Sequence, residues 1–158
     1  MRLLVTIRLE RRESRLSAGK LVSPGWFAVA VQALIVLAHC DEACPSAAIA
    51  DNLHAHAVSL RRVMAQLVRV GIVAAHEGRD GGYTLGRPAD RITLAEVYEA
   101  VKASGPIDLS SLEPPHCAES MKMHTALAEV ATEAELSVIE VLSHHSIASL
   151  MERAEALE

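Results

Sequence analysis

Apolar residues recur along most of this chain with the 3.6-residue period of buried helix faces, and in one short stretch that period gives way to another. Phe27, Ala30, Val31, Leu34, Ile35 and Ala38 share one face and predict a first helix over about 24–39. Pro24 stands at its start, where a missing N–H costs nothing. Residues 39–45 read as a loop, and Ser46 as the cap of a short second helix over 47–53. After a turn at 54–57, Leu60, Val63, Met64 and Leu67 fall at i, i+3, i+4 and i+7, the inner stripe of a third helix that Gly71 ends. Arg62, Gln66 and Arg69 take its opposite face.

Residues 72–76 and 83–85 then flank a turn at 77–82 that holds three glycines, which predicts a β-hairpin with a permissive tip. Thr93 can cap a fourth helix over about 94–103, ended by Gly105 and Pro106, and residues 107–116 form a proline-containing loop. From 118 to 142 no Pro or Gly interrupts a helical pattern in which Leu127, Val130, Ala134, Val138 and Val141 mark one stripe. Residues 143–146 break it, and Ser146 can cap a last short helix to about Ala154.

The expected fold is therefore mainly α with a small β-hairpin: a winged helix-turn-helix domain followed by a long C-terminal dimerisation helix. The expected organisation is a flexible basic extension over 1–20, the winged domain over 21–103, a linker over 104–117, and the dimerisation helix with its short terminal helix over 118–158. Three helices ahead of a hairpin have a direct physical reading. A helix about 10–12 Å across fits the DNA major groove, and the adjacent hairpin can reach the minor groove or the backbone.

Composition narrows this picture. Apolar residues make up 51% of the chain, but only Trp26, Phe27, Tyr83 and Tyr98 are aromatic, so aliphatic side chains must build the core. The longest apolar run, Phe27 to Ala38, is 12 residues, against roughly 20 for a bilayer span. With no secretory pattern at the basic N-terminus, the expected location is the cytoplasm, away from membranes. Cys40, Cys44 and Cys117 are an odd set in such a chain, so free thiols, ligands or redox sensors are expected instead of a disulfide framework. No nucleotide-binding loop, His-Glu-x-x-His or Gly-x-Ser-x-Gly occurs, which argues against an enzyme.

The net charge of −5 hides a strong asymmetry. Residues 1–20 carry +4, 21–56 carry −3, 57–91 carry +3 with six arginines, and 92–158 carry −9. The basic block coincides with the third helix and the hairpin, and local field decides what docks there.

The run VSLRRVMAQLVRVGIV, followed by EGRDGGYTLGRPADRITLAEVYEAV, resembles the Rrf2 family of bacterial transcriptional regulators over residues 22 to about 103. Its most specific part is Gly-Arg-Asp-Gly-Gly-Tyr-Thr-Leu with the Ile-Thr-Leu-Ala-Glu-Val that follows. The resemblance implies a homodimer on a pseudo-palindromic operator in double-stranded DNA. Ser59, Arg61, Arg62, Gln66 and Arg69 would face bases or phosphates, Arg79 would enter the minor groove, and Gly78, Gly81 and Gly82 would shape the wing. It also implies a dimer interface along Leu127, Val130, Ala134, Val138 and Val141.

Some family members hold an iron–sulfur cluster on three cysteines before the dimerisation helix. Here residues 104–120 contain only Cys117, beside His116, so no cofactor is expected and the chain looks closer to the cluster-free, YwnA-like members. Where such members have Asn before the recognition helix, this chain has His56.

Other readings stay open at this point. The arginines can merely solvate a helix face, and the long helix can pack on its own domain. His39, His116 and His124 with the cysteines contain metal-ligand residue types, yet Cys-x3-Cys with nothing regular behind it is weak beside a paired Cys-x2-Cys pattern. A winged helix can also bind protein alone, and a small-molecule- or metal-sensing regulator without a thiol switch is a further alternative. Cys117, near a helix N-terminus, is the candidate centre of a redox switch with Cys40 or Cys44.

Overall fold

The computed structural model describes residues 25–53, 57–78, 81–102 and 117–157. The elements run α1 (Trp26–Ala38), α2 (Ser46–Leu53), α3 (Ala57–Arg69), β1 (Val73–His76), β2 (Gly82–Leu85), a 3-10 turn (Ala89–Arg91), α4 (Leu94–Val101), α5 (Ala118–Ser143) and α6 (Ile147–Glu155). The expected basic extension at 1–20 and the linker at 104–116 lie outside the described residues.

The core is aliphatic. Leu34 of α1, Ile49 of α2, Leu60, Met64 and Leu67 of α3, Ile72, Ile92, Val97 of α4 and Ile147 of α6 are all fully buried. The predicted inner stripe of α3 is the observed one: Leu60, Val63, Met64 and Leu67 are its four buried residues. Each such side chain contributes roughly 1.5–3 kcal/mol by leaving water.

The join between α3 and β1 sets the spacing of the whole motif. Gly71 adopts φ +73°, its N–H donates to Val68 O at 3.0 Å, and the Ile72 N–H donates to Leu67 O at 3.0 Å. That is a Schellman termination, and a side chain at Gly71 would be strained there. Its apolar clasp is Ile72 against Leu67, both buried, so β1 departs at a fixed angle as soon as α3 ends.

Two predicted caps are present in full. Thr93 Oγ1 accepts from the Glu96 N–H while Glu96 accepts from the Thr93 N–H, and Ser146 and Ser149 reciprocate in the same way at α6. Each such cap stabilises its helix by about 1 kcal/mol.

The element bounds differ from expectation in two instructive places. Ser46 is not a cap but the first residue of α2, because Cys44 is held extended in a bridge to Tyr83 and the helix begins as soon as that bridge ends. The Ile49 N–H accordingly bonds Pro45 O at 3.2 Å. The fourth helix stops at Val101, since Lys102 turns extended with its Nζ 2.6 Å from Glu135 Oε1 of α5.

The chain closes on itself at its C-terminal end. The Leu94 N–H donates to His145 O at 2.8 Å and the Ile147 N–H donates to Ile92 O at 2.9 Å, so the turn between α5 and α6 is stitched to the start of α4. The sequence grouped α6 with the long helix, but Ile147 places it in the core of the winged body. Among the described residues no helix is long and apolar enough to cross a membrane.

Candidate nucleic-acid interface

With Leu60, Val63, Met64 and Leu67 turned inward, helical geometry sends Val58, Arg61, Arg62, Ala65 and Arg69 outward at i, i+3, i+4, i+7 and i+11, and all five are exposed. Three guanidinium groups therefore stand on one ridge. The described ion pairs, Arg87–Glu96 and Lys102–Glu135, involve none of them. Ser59 and Gln66, expected with the arginines, are half-buried on a flank of the helix. Val58 and Ala65 occupy the middle of the ridge instead. Sequence reasoning passed over them because it looked for charge, although the same periodicity that placed the arginines outward places them there too.

β1 and β2 pair antiparallel from Val73 with Leu85 to His76 with Gly82. The hairpin is docked as well as paired: Cys44 and Tyr83 exchange two backbone hydrogen bonds of 2.9 Å, which ties the wing to the segment entering α2. A β-carbon at Gly82 would collide with the backbone of Cys44 and Pro45, so only glycine permits this approach. Gly78 adopts φ +120°, and a β-carbon at Gly81 would lie 2.5 Å from His76 O. The three wing glycines are thus accounted for by the hairpin's own geometry. Arg79, between them, lies outside the described residues, as does His56.

The three thiols occupy different environments. Cys44 is buried in the core, and burial, followed by the neighbouring Cys40, pushes its thiol up to about 11. A thiol held protonated is a poorer redox nucleophile than a thiolate. Cys40 is half-buried with its Sγ donating to Val36 O at 3.3 Å. Cys117 is exposed at the N-cap of α5 and accepts the Ser120 N–H at 3.4 Å. The Ser120 side chain, then the N–H groups of Ser120 and Glu119, hold its thiol below the usual range.

The expected interface stripe on α5 divides. Leu127, Val130 and Val141 are exposed, while Ala134 and Val138, on the same face, are half-buried. α5 has no fully buried residue in 26, and Met121, Met123 and Leu136 are exposed as well.

The family model for Rrf2, described as an iron-dependent transcriptional regulator, matches residues 26–153. The chain belongs to the Rrf2 family. Over 78 residues it is 35% identical to YwgB, a helix-turn-helix-type transcriptional regulator of Bacillus subtilis, a match spanning 49% of this chain and 50% of that protein. Over 85 residues it is 34% identical to the transcriptional regulator IscR of Xenorhabdus nematophila, spanning 54% of this chain and 52% of that one. The chain thus aligns with about half the length of these curated relatives. The solved structure of T. potens IscR shares the fold, with a TM-score of 0.64 at 21% identity over 87% of this chain and 91% of that one. An Rrf2 member is a transcriptional regulator, not an enzyme.

The Rrf2 description names iron. Among the described residues no three His, Cys, Asp or Glu side chains converge to hold a metal ion. Residues 104–120 offer one cysteine, whose sulfur already accepts the Ser120 N–H, so a three-cysteine cluster set does not fit this chain.

Proposed function

We propose that this Rrf2 protein is a cytoplasmic, sequence-specific DNA-binding repressor that acts as a homodimer on a pseudo-palindromic operator. The observation that carries the reading is the exposed ridge of Arg61, Arg62 and Arg69 on a helix locked at a fixed angle to a docked wing. Two copies of α3 about 34 Å apart would enter successive major grooves. Arg79 of each wing would reach the minor groove, and Ser59 and Gln66 would approach the backbone from the flank. The exposed apolar residues of α5 support pairing of that helix with its twin. In this reading no iron–sulfur cluster takes part.

The test is salt dependence on duplex DNA selected from a random library. Because each neutralised phosphate releases condensed counterions, the slope of log K against log salt should fall by about 2 for the dimer when Arg69→Ala removes one contact per subunit. Affinity that ignores salt would mark the winged domain as a protein-binding module.

The signal proposed is oxidation at Cys117, the one cysteine that is both exposed and shifted towards the thiolate. A mild oxidant should change operator affinity at least about fivefold in the parent and leave Cys117→Ser unchanged, as read by titration before and after treatment. An equal response in both proteins points to a small-molecule signal instead.

A further inference from the structure

The centre of the α3 ridge is apolar. Val58 is 62% exposed in the first turn of the helix, with Ala57 before it and Ala65 two turns further along, while Arg61, Arg62 and Arg69 stand beside and beyond it. One exposed apolar side chain is ordinary on a protein surface. The position of this one is not. A β-branched residue is a mediocre helix former, an alanine or glutamate would suit an exposed first turn better, and none of the described residues covers it.

The N-terminal residues of a recognition helix are those that reach the floor of the major groove. There the four base pairs differ not only in donors and acceptors but in one apolar group, the 5-methyl of thymine, which guanidinium groups cannot recognise and an aliphatic side chain can. The surrounding arginines make duplex DNA the occupant by charge, and they also position the valine, because their contacts to phosphates or guanines fix the depth and register of the helix.

We propose that Val58 is a specificity determinant that reads the 5-methyl group of one thymine in each half-site. This rests on the DNA-binding reading above and sharpens it. Arginines supply affinity and guanine or phosphate contacts, and Val58 distinguishes thymine from cytosine at a defined position. The two γ-methyls pack on the thymine methyl and exclude water from it.

Uracil scanning tests this, since deoxyuridine keeps every hydrogen bond of thymine and lacks only the methyl. Duplexes selected by the full-length chain are resynthesised with each thymine replaced in turn, and titrated with the parent and with Val58→Ala. For the parent, one position per half-site should lose about fourfold in affinity, and replacing both symmetry-related thymines should lose about tenfold or more. Val58→Ala should bind the unmodified duplex as weakly as the parent binds the uracil duplex, and uracil should weaken it no further. Its thermal melt should match the parent's, because the removed atoms are exposed. A cytosine at that position should be rescued in part by 5-methylcytosine in the parent alone. Sequence-specific binding that no uracil weakens, or that uracil weakens equally in both proteins, overturns the contact while leaving the DNA-binding function standing. Failure of the parent to select any duplex overturns both.

Discussion

Val130→Glu leaves a chain that sediments as a monomer and binds its operator at least about a hundredfold more weakly than the parent. Val130 is 56% exposed on α5, and Met123, Leu127 and Val141 lie on the same flank at helical spacing, each exposed. On the dimer reading proposed above, this apolar strip is the interface. A two-fold pairing would bring two copies of any substituted residue into it, and a buried carboxylate without a partner costs several kcal/mol. Once the dimer is lost, the second half-site is no longer delivered by the first, and linked binding of this kind is worth about 10²–10⁴ in affinity. Sedimentation and operator titration read the two effects separately. Glu133→Gln, on an exposed polar position of the same helix, should change neither. A dimer that survives Val130→Glu would move the interface to the other flank, where Leu136 is exposed.

The largest loss of stability is expected for Ile147→Ala. Ile147 is fully buried, and its N–H donates to Ile92 O, so this one residue fastens α6 to the body. Removing three buried carbons leaves a cavity at a site whose backbone is pinned and cannot collapse, which costs about 3 kcal/mol. For a chain of this size that lowers Tm by about 10 °C. The substitution lies far along the chain from the arginine ridge of α3, so affinity for DNA measured well below Tm should stay near that of the parent. A variant that melts with the parent would mean that α6 is held by its capping box alone.

The winged domain was legible because each of its elements carries a local signature. Leu60, Val63, Met64 and Leu67 follow helical spacing, Gly71 ends the helix, and the turn holds glycines where a β-carbon cannot go. Local pattern does not report long-range pairing. Ser46 looks like a cap until the Cys44–Tyr83 bridge is known, and nothing near Ile147 announces that it will meet Ile92. The α5 stripe was legible only in part. Its five residues share one face, and sequence cannot tell that Ala134 and Val138 on that face are half-buried while Leu127, Val130 and Val141 are exposed. The candidate site shows the same limit, with charge marking the ridge but not its apolar centre.

The stitching of the α5–α6 turn to the start of α4 makes α5 a lever with a fixed fulcrum. Its last turns are held by Leu142, half-buried against the core, and by the His145 and Ile147 backbone bonds, and its middle by the Glu135–Lys102 pair, whereas residues 118–123 at its far end are exposed. The stretch of α5 from 118 to 134, beyond that pair, makes an arm about 26 Å long. A tilt of about 5° of that arm therefore corresponds to a swing of about 2 Å at the Cys117 end. On the DNA-binding reading proposed above, a displacement at that end would reach α3 only through α4, which packs on both α5 and α3, and would arrive there as a smaller movement.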